Sequence, residues 1–136
     1  LMAAYEMNAF KDEYQKAVVE NAKHFAKCLA AEGLDVAGDP AMDYTETHQV
    51  IVKVGYAHGP EVADRLEANN IVCNYQATPE EEGFSASGAL RMGVNEMTRF
   101  GFGKEQFAQL AHLIDIFVAC SRYEGMFWDM AWNEEM

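Results

Sequence analysis

Arg91 is the side chain whose type and surroundings point most directly to ligand chemistry. It lies in residues 85–93, which are otherwise small or apolar and include Gly88 and Gly93. A guanidinium group pairs with a carboxylate through two parallel hydrogen bonds, and small neighbours let a ligand approach closely. The segment therefore marks Arg91 as a candidate carboxylate-binding residue, while the residue types alone still favour a structural ion pair.

The remaining polar groups carry weaker signals. Residues 80–82 are three consecutive glutamates, a run typical of a solvated loop. Gly101 and Gly103 precede a predicted helix, where an anion can bind, but a chain reversal explains them equally well. No metal-ligand spacing joins the four histidines, which are His24, His48, His58 and His112. The pattern therefore predicts structural or surface roles for these groups and no metal site.

Composition narrows the class of protein. The 136 residues fit one domain, and the formal net charge of −12 argues against binding to nucleic acid or anionic membrane surfaces. No apolar run approaches the roughly 18 residues of a membrane span. The three cysteines, Cys28, Cys73 and Cys120, lie far apart and form no C-x-x-C pair. We therefore predict reduced thiols and a cytoplasmic protein that binds neither nucleic acid nor membrane.

The spacing of apolar residues predicts an α+β domain. Helices are expected over residues 4–32, 60–69 and 104–121, and strands near 34–37, 48–54 and 88–93, with 71–75 at an edge or in a loop. These elements predict a small, mostly antiparallel sheet of three to four strands with helices packed on one face. We assign residues 1–122 to this domain and treat residues 123–136 as an aromatic, acidic tail of unknown role.

Several segments resemble the C-terminal domain of the serine hydroxymethyltransferase family, within the fold-type I pyridoxal-phosphate (PLP) enzymes. The resemblance covers residues 3 to about 118 and indicates a diverged member. The family's run T-S-G-I-R-x-G-T-x-A-x-T-x-R-G-F resembles residues 87–93 and 98–102. Three further motifs, I-T-V-N-K-N-x-x-P, Q-x-V-x-x-N-A-K and N-H-L-x-L-V, resemble residues 71–79, 15–23 and 47–52.

The resemblance implies a PLP enzyme that moves a one-carbon unit between serine and glycine, with tetrahydrofolate as the acceptor. It implies that Arg91 binds the amino-acid carboxylate and that Asn74 and Gln76 belong to a possible folate loop. The catalytic lysine and the PLP ligands belong to the family's large domain, and nothing here resembles its S-x-x-H-K motif. We therefore expect a fragment that begins inside a helix, has no catalytic or cofactor-binding residue of its own, and is inactive alone. The full-length relatives imply a homodimer.

Departures from the family pattern leave other functions open. Gln76 stands where the family has an asparagine that helps bind folate, and residues 94–95 are Val-Asn instead of Thr-Pro. A folate-independent PLP aldolase or transaldolase acting on β-hydroxy amino acids would keep Arg91 and lose the pterin contacts. A non-catalytic α+β module that binds a small molecule is the rival from another class. Exposed apolar faces on the first helix and the tail would favour a piece of a larger enzyme.

Overall fold

The described part of the chain, residues 1–78, 80–81 and 86–134 of this computed structural model, contains four α-helices and four β-strands. The helices are α1 (Met2–Ala31), α2 (Gly59–Glu67), α3 (Asn95–Arg99) and α4 (Lys104–Glu134). The strands are β1 (Asp35–Val36), β2 (Gln49–Lys53), β3 (Asn74–Gln76) and β4 (Ala89–Gly93), and a 3-10 turn spans Pro40–Met42. No described helix has both the length and the apolar character that a bilayer crossing requires.

The four strands form one antiparallel sheet in the order β1-β2-β4-β3. In β2, a run rich in β-branched residues, Val50 and Val52 are buried while the residues between and beside them are half-buried. Leu90 and Met92 of β4 are buried on the same side. The predicted α+β fold with a small antiparallel sheet is therefore confirmed, and the fourth strand occupies the edge that was expected near residues 71–75.

The core lies between the sheet and the helices. Phe25 of α1 and Phe107 of α4 are both about 1% exposed, and their ring centroids are 5.4 Å apart. Leu66 of α2 and Leu90 of β4 are fully buried in the same cluster. Each α-helix of this core therefore buries one stripe of apolar residues against the face of the sheet that carries Leu90.

The helix boundaries differ from the prediction in two places. The five-residue helix α3 was not predicted, because one turn is too short to show helical periodicity. Helix α4 was expected to end near residue 121, but its backbone stays helical to Glu134 and includes most of the predicted tail. No proline interrupts this stretch, and Gly125 alone is not enough to end the helix.

A buried asparagine holds α3 and the turn after it against α1. Asn21, which is 7% exposed, donates through Nδ2 to Thr98 Oγ1 and to the Phe102 carbonyl, each at 3.0 Å. The Thr98 hydroxyl in turn donates to the Val94 carbonyl at 2.7 Å. Gly101 reverses the chain between these groups with a φ of +93°, which glycine adopts without strain. Residues in the segments 15–23 and 98–102, which resemble family motifs, therefore contribute to the stability of the fold.

Replacing Asn21 with alanine is expected to lower the free energy of unfolding by about 1–3 kcal/mol, because the half-buried Thr98 hydroxyl and the Phe102 carbonyl lose their donor. Urea denaturation of the 136-residue chain measures this change. Asn8→Ala is the matched control, since Asn8 lies on the exposed part of the same helix and makes no side-chain hydrogen bond with the described residues. Equal losses in the two variants would contradict the role of the Asn21 network.

Candidate functional site

The three predicted site residues lie on the sheet face opposite the helices. Side chains alternate along a strand, so Arg91 points away from the core into which Leu90 points. Arg91 pairs directly with Asn74 on β3, and Gln76 lies two residues further along the same strand. Because directly opposed residues share a face of the sheet, the structure brings Arg91, Asn74 and Gln76 together on this surface, which we call the open face.

Arg91 has no ion-pair partner among the described residues. Its side chain is half-buried, and it makes neither a salt bridge nor a side-chain hydrogen bond with the described part of the chain. Asn74 is exposed, and its Oδ1 accepts a hydrogen bond from the neighbouring Tyr75 amide at 2.8 Å. The residue types favoured a structural ion pair for Arg91, and the described residues form no such pair.

Lys53 and Glu80 form an ion pair beside these residues. Lys53 opposes Ala89 on β4, and its Nζ lies 3.2 Å from Glu80 Oε1. The hydrogen bond from Lys53 holds the pKa of the Glu80 carboxyl below its ordinary value, with a further contribution from a hydrogen bond with Thr78. The acidic run, predicted to be a solvated loop, therefore has at least one glutamate engaged with the open face.

Glu81 makes contacts that the sequence interpretation missed. Its Oε2 accepts hydrogen bonds from the Thr78 amide at 2.7 Å and from the Gly88 amide at 3.1 Å. The available signal was the spacing T-x-x-E at residues 78–81, because in a capping box the glutamate reaches back to the amide of the threonine. The Gly88 carbonyl then accepts from the Val54 amide at 2.8 Å. The start of β4 is thus held from two sides.

A shallow cavity of about 360 Å³ lies at this end of the open face. Its lining includes Asp35, Lys53, Tyr56 and Glu81. The described residues do not fit a covalently bound PLP, because Lys53 is the cavity's lysine and its ammonium is paired with Glu80. The other lysines lie on α1 or at the first position of α4 and are Lys11, Lys16, Lys23, Lys27 and Lys104.

The histidines and the glycines before α4 were predicted to have structural or surface roles, and His24, His112 and Gly103 each contact another part of the chain. His24 bonds to the Lys104 carbonyl at 3.0 Å, and His112 lies 3.3 Å from Glu32. The amide of Gly103, which an anion would use at the start of α4, donates instead to Gln106 Oε1 at 3.0 Å. In the described part of the chain no three His, Cys, Asp or Glu side chains converge as metal ligands.

The cysteines differ in their surroundings. Burial, with a smaller contribution from Glu67, raises the pKa of the Cys73 thiol to about 11. Burial and Glu32 also raise the pKa of Cys28, whereas Cys120 is exposed. Because the thiolate is the reactive form of cysteine, the raised pKa makes the Cys73 thiol less reactive at neutral pH.

Comparisons with known proteins agree with the resemblance. The family model for serine hydroxymethyltransferase matches residues 2–114. The curated serine hydroxymethyltransferase of Pyrobaculum arsenaticum is 42% identical over 110 residues, which are 80% of this chain and 25% of that protein. That of Pyrococcus furiosus is 38% identical over 119 residues, or 84% of this chain and 28% of that protein. The chain thus spans about a quarter of the length of the curated relatives.

A solved structure is similar in fold as well as in sequence. The crystal structure of an L-threonine transaldolase from Pseudomonas fluorescens, determined in its internal aldimine state, matches with a TM-score of 0.77 at 32% identity. The match covers 86% of this chain and 26% of the transaldolase chain.

The raised pKa of Cys73 predicts slow alkylation. Below pH 9 iodoacetamide is expected to label the exposed Cys120 well before Cys73, because the half-buried Cys73 thiol has a raised pKa and stays protonated. Peptide mass mapping over a time course measures the order of labelling, and the same reaction in urea should remove the difference. Equal labelling rates in the folded chain would show that Cys73 is not protected.

Proposed function

The chain belongs to the serine hydroxymethyltransferase family, and from this premise we propose that it is the small, substrate-binding domain of a PLP-dependent enzyme acting on serine and glycine. The observation that carries the proposal is Arg91, a half-buried guanidinium on the open face without an ion pair among the described residues. In this assignment Arg91 binds the carboxylate of the amino-acid substrate. The lysine and the phosphate ligands of PLP are assigned to the large domain of the complete enzyme.

The chemistry of the open face supports a carboxylate ligand. Withdrawing a guanidinium from water has an energetic cost that a bidentate carboxylate offsets through two charge-assisted hydrogen bonds. Asn74 stands directly opposite Arg91 on the neighbouring strand and offers both an amide donor and an acceptor. A ligand that carries a carboxylate beside further polar groups fits this pair, and an α-amino acid is such a ligand.

The acceptor of the one-carbon unit separates two versions of the proposal. The curated relatives from Pyrobaculum arsenaticum and Pyrococcus furiosus are serine hydroxymethyltransferases, which favours transfer to tetrahydrofolate with Asn74 and Gln76 as part of the folate loop. The likeness to an L-threonine transaldolase favours a folate-independent enzyme acting on β-hydroxy amino acids. Gln76 is the residue on which the versions differ, because it is one methylene longer than the asparagine of the family motif.

The surface of α1 favours a domain of a larger enzyme over a stand-alone module. Its core-facing stripe includes Phe25, Val18 and the half-buried Tyr14, and it continues at helical spacing to Phe10 and Met7. Phe10 is 65% exposed and Met7 is 42% exposed. An apolar stripe that extends two turns beyond its covering elements indicates a surface that another part of the protein covers.

The second half of α4 also exposes large apolar side chains. Tyr123, Met126 and Met130 are each at least 60% exposed. Together with the stripe on α1, these side chains support the proposal of a large domain and of a homodimer in the complete enzyme.

Arg91→Lys in the full-length enzyme is expected to reduce kcat/KM for the amino acid at least about tenfold, equivalent to roughly 1.4 kcal/mol. Lysine keeps the charge but loses the planar fork, so the carboxylate is bound less tightly and less precisely oriented. Steady-state kinetics and a glycine titration followed through the cofactor absorbance measure the change. PLP content should stay that of the parent enzyme.

Arg99→Lys is the matched control, because Arg99 is exposed on α3 and pairs with Glu6 at 3.4 Å. It should leave glycine affinity unaltered. Unchanged glycine affinity in Arg91→Lys, together with a lower melting temperature, would identify Arg91 as a structural residue and refute the proposed role.

The 136-residue chain alone is expected not to bind PLP covalently. Incubation with PLP, borohydride reduction and peptide mass analysis should find no lysine labelled stoichiometrically, because the described lysines are not arranged around a cofactor. The full-length enzyme serves as the positive control and should be labelled once, outside this chain. Stoichiometric labelling of any of the six lysines in this chain would overturn the assignment.

A further inference from the structure

We propose that Glu81 is a positioning residue for the open face, because its carboxylate joins the two ends of the β3–β4 connection and fixes the entry into the strand that carries Arg91. This inference rests on the proposed function. It assigns Glu81 no contact with the substrate, and its effect on binding passes through Arg91.

The hydrogen bonds of Glu81 link β3 and β4 just beyond their last backbone pair. The last paired residues of β3 and β4 are Gln76 and Ala89. Beyond this pair the ladder between β3 and β4 ends, and the Glu81 carboxylate accepts a hydrogen bond from both the Thr78 amide and the Gly88 amide. The Glu81 amide also donates to the Thr78 carbonyl at 3.0 Å. The side chain thus links both ends of the connection where direct pairing of the backbones has ended.

Gly88 is enclosed between Glu81 and the segment after β2. A Cβ atom at this position would collide with the Glu81 carboxylate, and it would lie 2.8 Å from the Gly55 carbonyl oxygen on the other side. The Gly88 carbonyl is bound by the Val54 amide at 2.8 Å. Gly88 therefore has little freedom while Glu81 is in place.

The neighbouring residue is held in the same way. The Ser87 carbonyl accepts from the Gly59 amide at 2.8 Å, and a Cβ at Gly59 would lie 2.5 Å from that carbonyl oxygen. Arg91 follows Gly88 by three residues on a continuous strand, so a shift at this entry moves the guanidinium. Two parallel hydrogen bonds between a guanidinium and a carboxylate require close alignment, so a small displacement of Arg91 weakens substrate binding.

The test compares three substitutions at Glu81 in the full-length enzyme. Glu81→Ala removes the link, and Glu81→Asp shortens the side chain by one methylene so that it no longer reaches both amides. Each is expected to weaken glycine binding at least about fivefold. Glu81→Gln is expected to stay within about twofold of the parent enzyme, since its carbonyl oxygen can still accept from both amides.

Glu20→Ala is the control, because it removes an exposed glutamate of α1 whose ion pair with Lys16 is largely exposed. It should leave glycine binding unchanged. A loss of affinity in Glu20→Ala as large as that in Glu81→Ala would show that the loss of any carboxylate suffices, and would overturn the inference.

A double-mutant cycle distinguishes positioning from general stability. If Glu81 acts through Arg91, adding Glu81→Ala to Arg91→Lys causes little further loss of glycine affinity, although the melting temperature falls in both backgrounds. Additive losses of affinity would overturn the inference. Normal glycine affinity in Glu81→Ala, together with reduced affinity in Arg91→Lys, would also overturn the inference about Glu81. The proposed function would stand in that case. If Arg91→Lys itself binds glycine normally, the proposed function fails first.

Discussion

The position of β4 at the centre of the sheet is the constraint on which the open face depends. β2 bonds to one of its edges along its whole length, and β3 bonds to the other edge from Asn74↔Arg91 to Gln76↔Ala89. A slip of one residue would turn Arg91 into the core and Leu90 toward solvent. Because a buried unpaired guanidinium is far more costly than an exposed leucine, the apolar residues of β4 fix the orientation of its arginine.

The fold was largely predictable where a segment carries one clear period. The alternation around Val50 and Val52 predicted β2, and the helical spacing of Val18 and Phe25 predicted α1. The edge strand β3 has no such pattern, because its residues are exposed or half-buried and its pairing comes from β4. Helix α3 depends on a contact with Asn21, which lies 77 residues before Thr98, and no local pattern reveals a contact of that range.

The site was predictable only in its residue types. The chemistry of a single arginine among glycines marked Arg91, and the family resemblance added Asn74 and Gln76. That Asn74 faces Arg91 follows from the register of two strands separated by a long connection, and the spacing of the residues does not determine that register. Glu81 was hidden in a run of three glutamates, where the prior expectation is a solvated surface. Its T-x-x-E spacing gave the only local indication of a bond to the backbone.

The three candidate residues of the open face, Arg91, Asn74 and Gln76, carry groups that suit binding and orienting a ligand. A guanidinium offers only N–H donors, and the amides of Asn74 and Gln76 offer neutral donors and acceptors, so these three side chains suit recognition of a ligand better than proton transfer. Lys53 is paired with Glu80, and the Cys73 thiol is half-buried. A face that combines a cation with neutral hydrogen-bonding groups fits the substrate-binding role proposed for this domain. The exposed apolar stripes of α1 and α4 offer surface against which another domain can pack, as the proposed division of binding and chemistry between two domains requires.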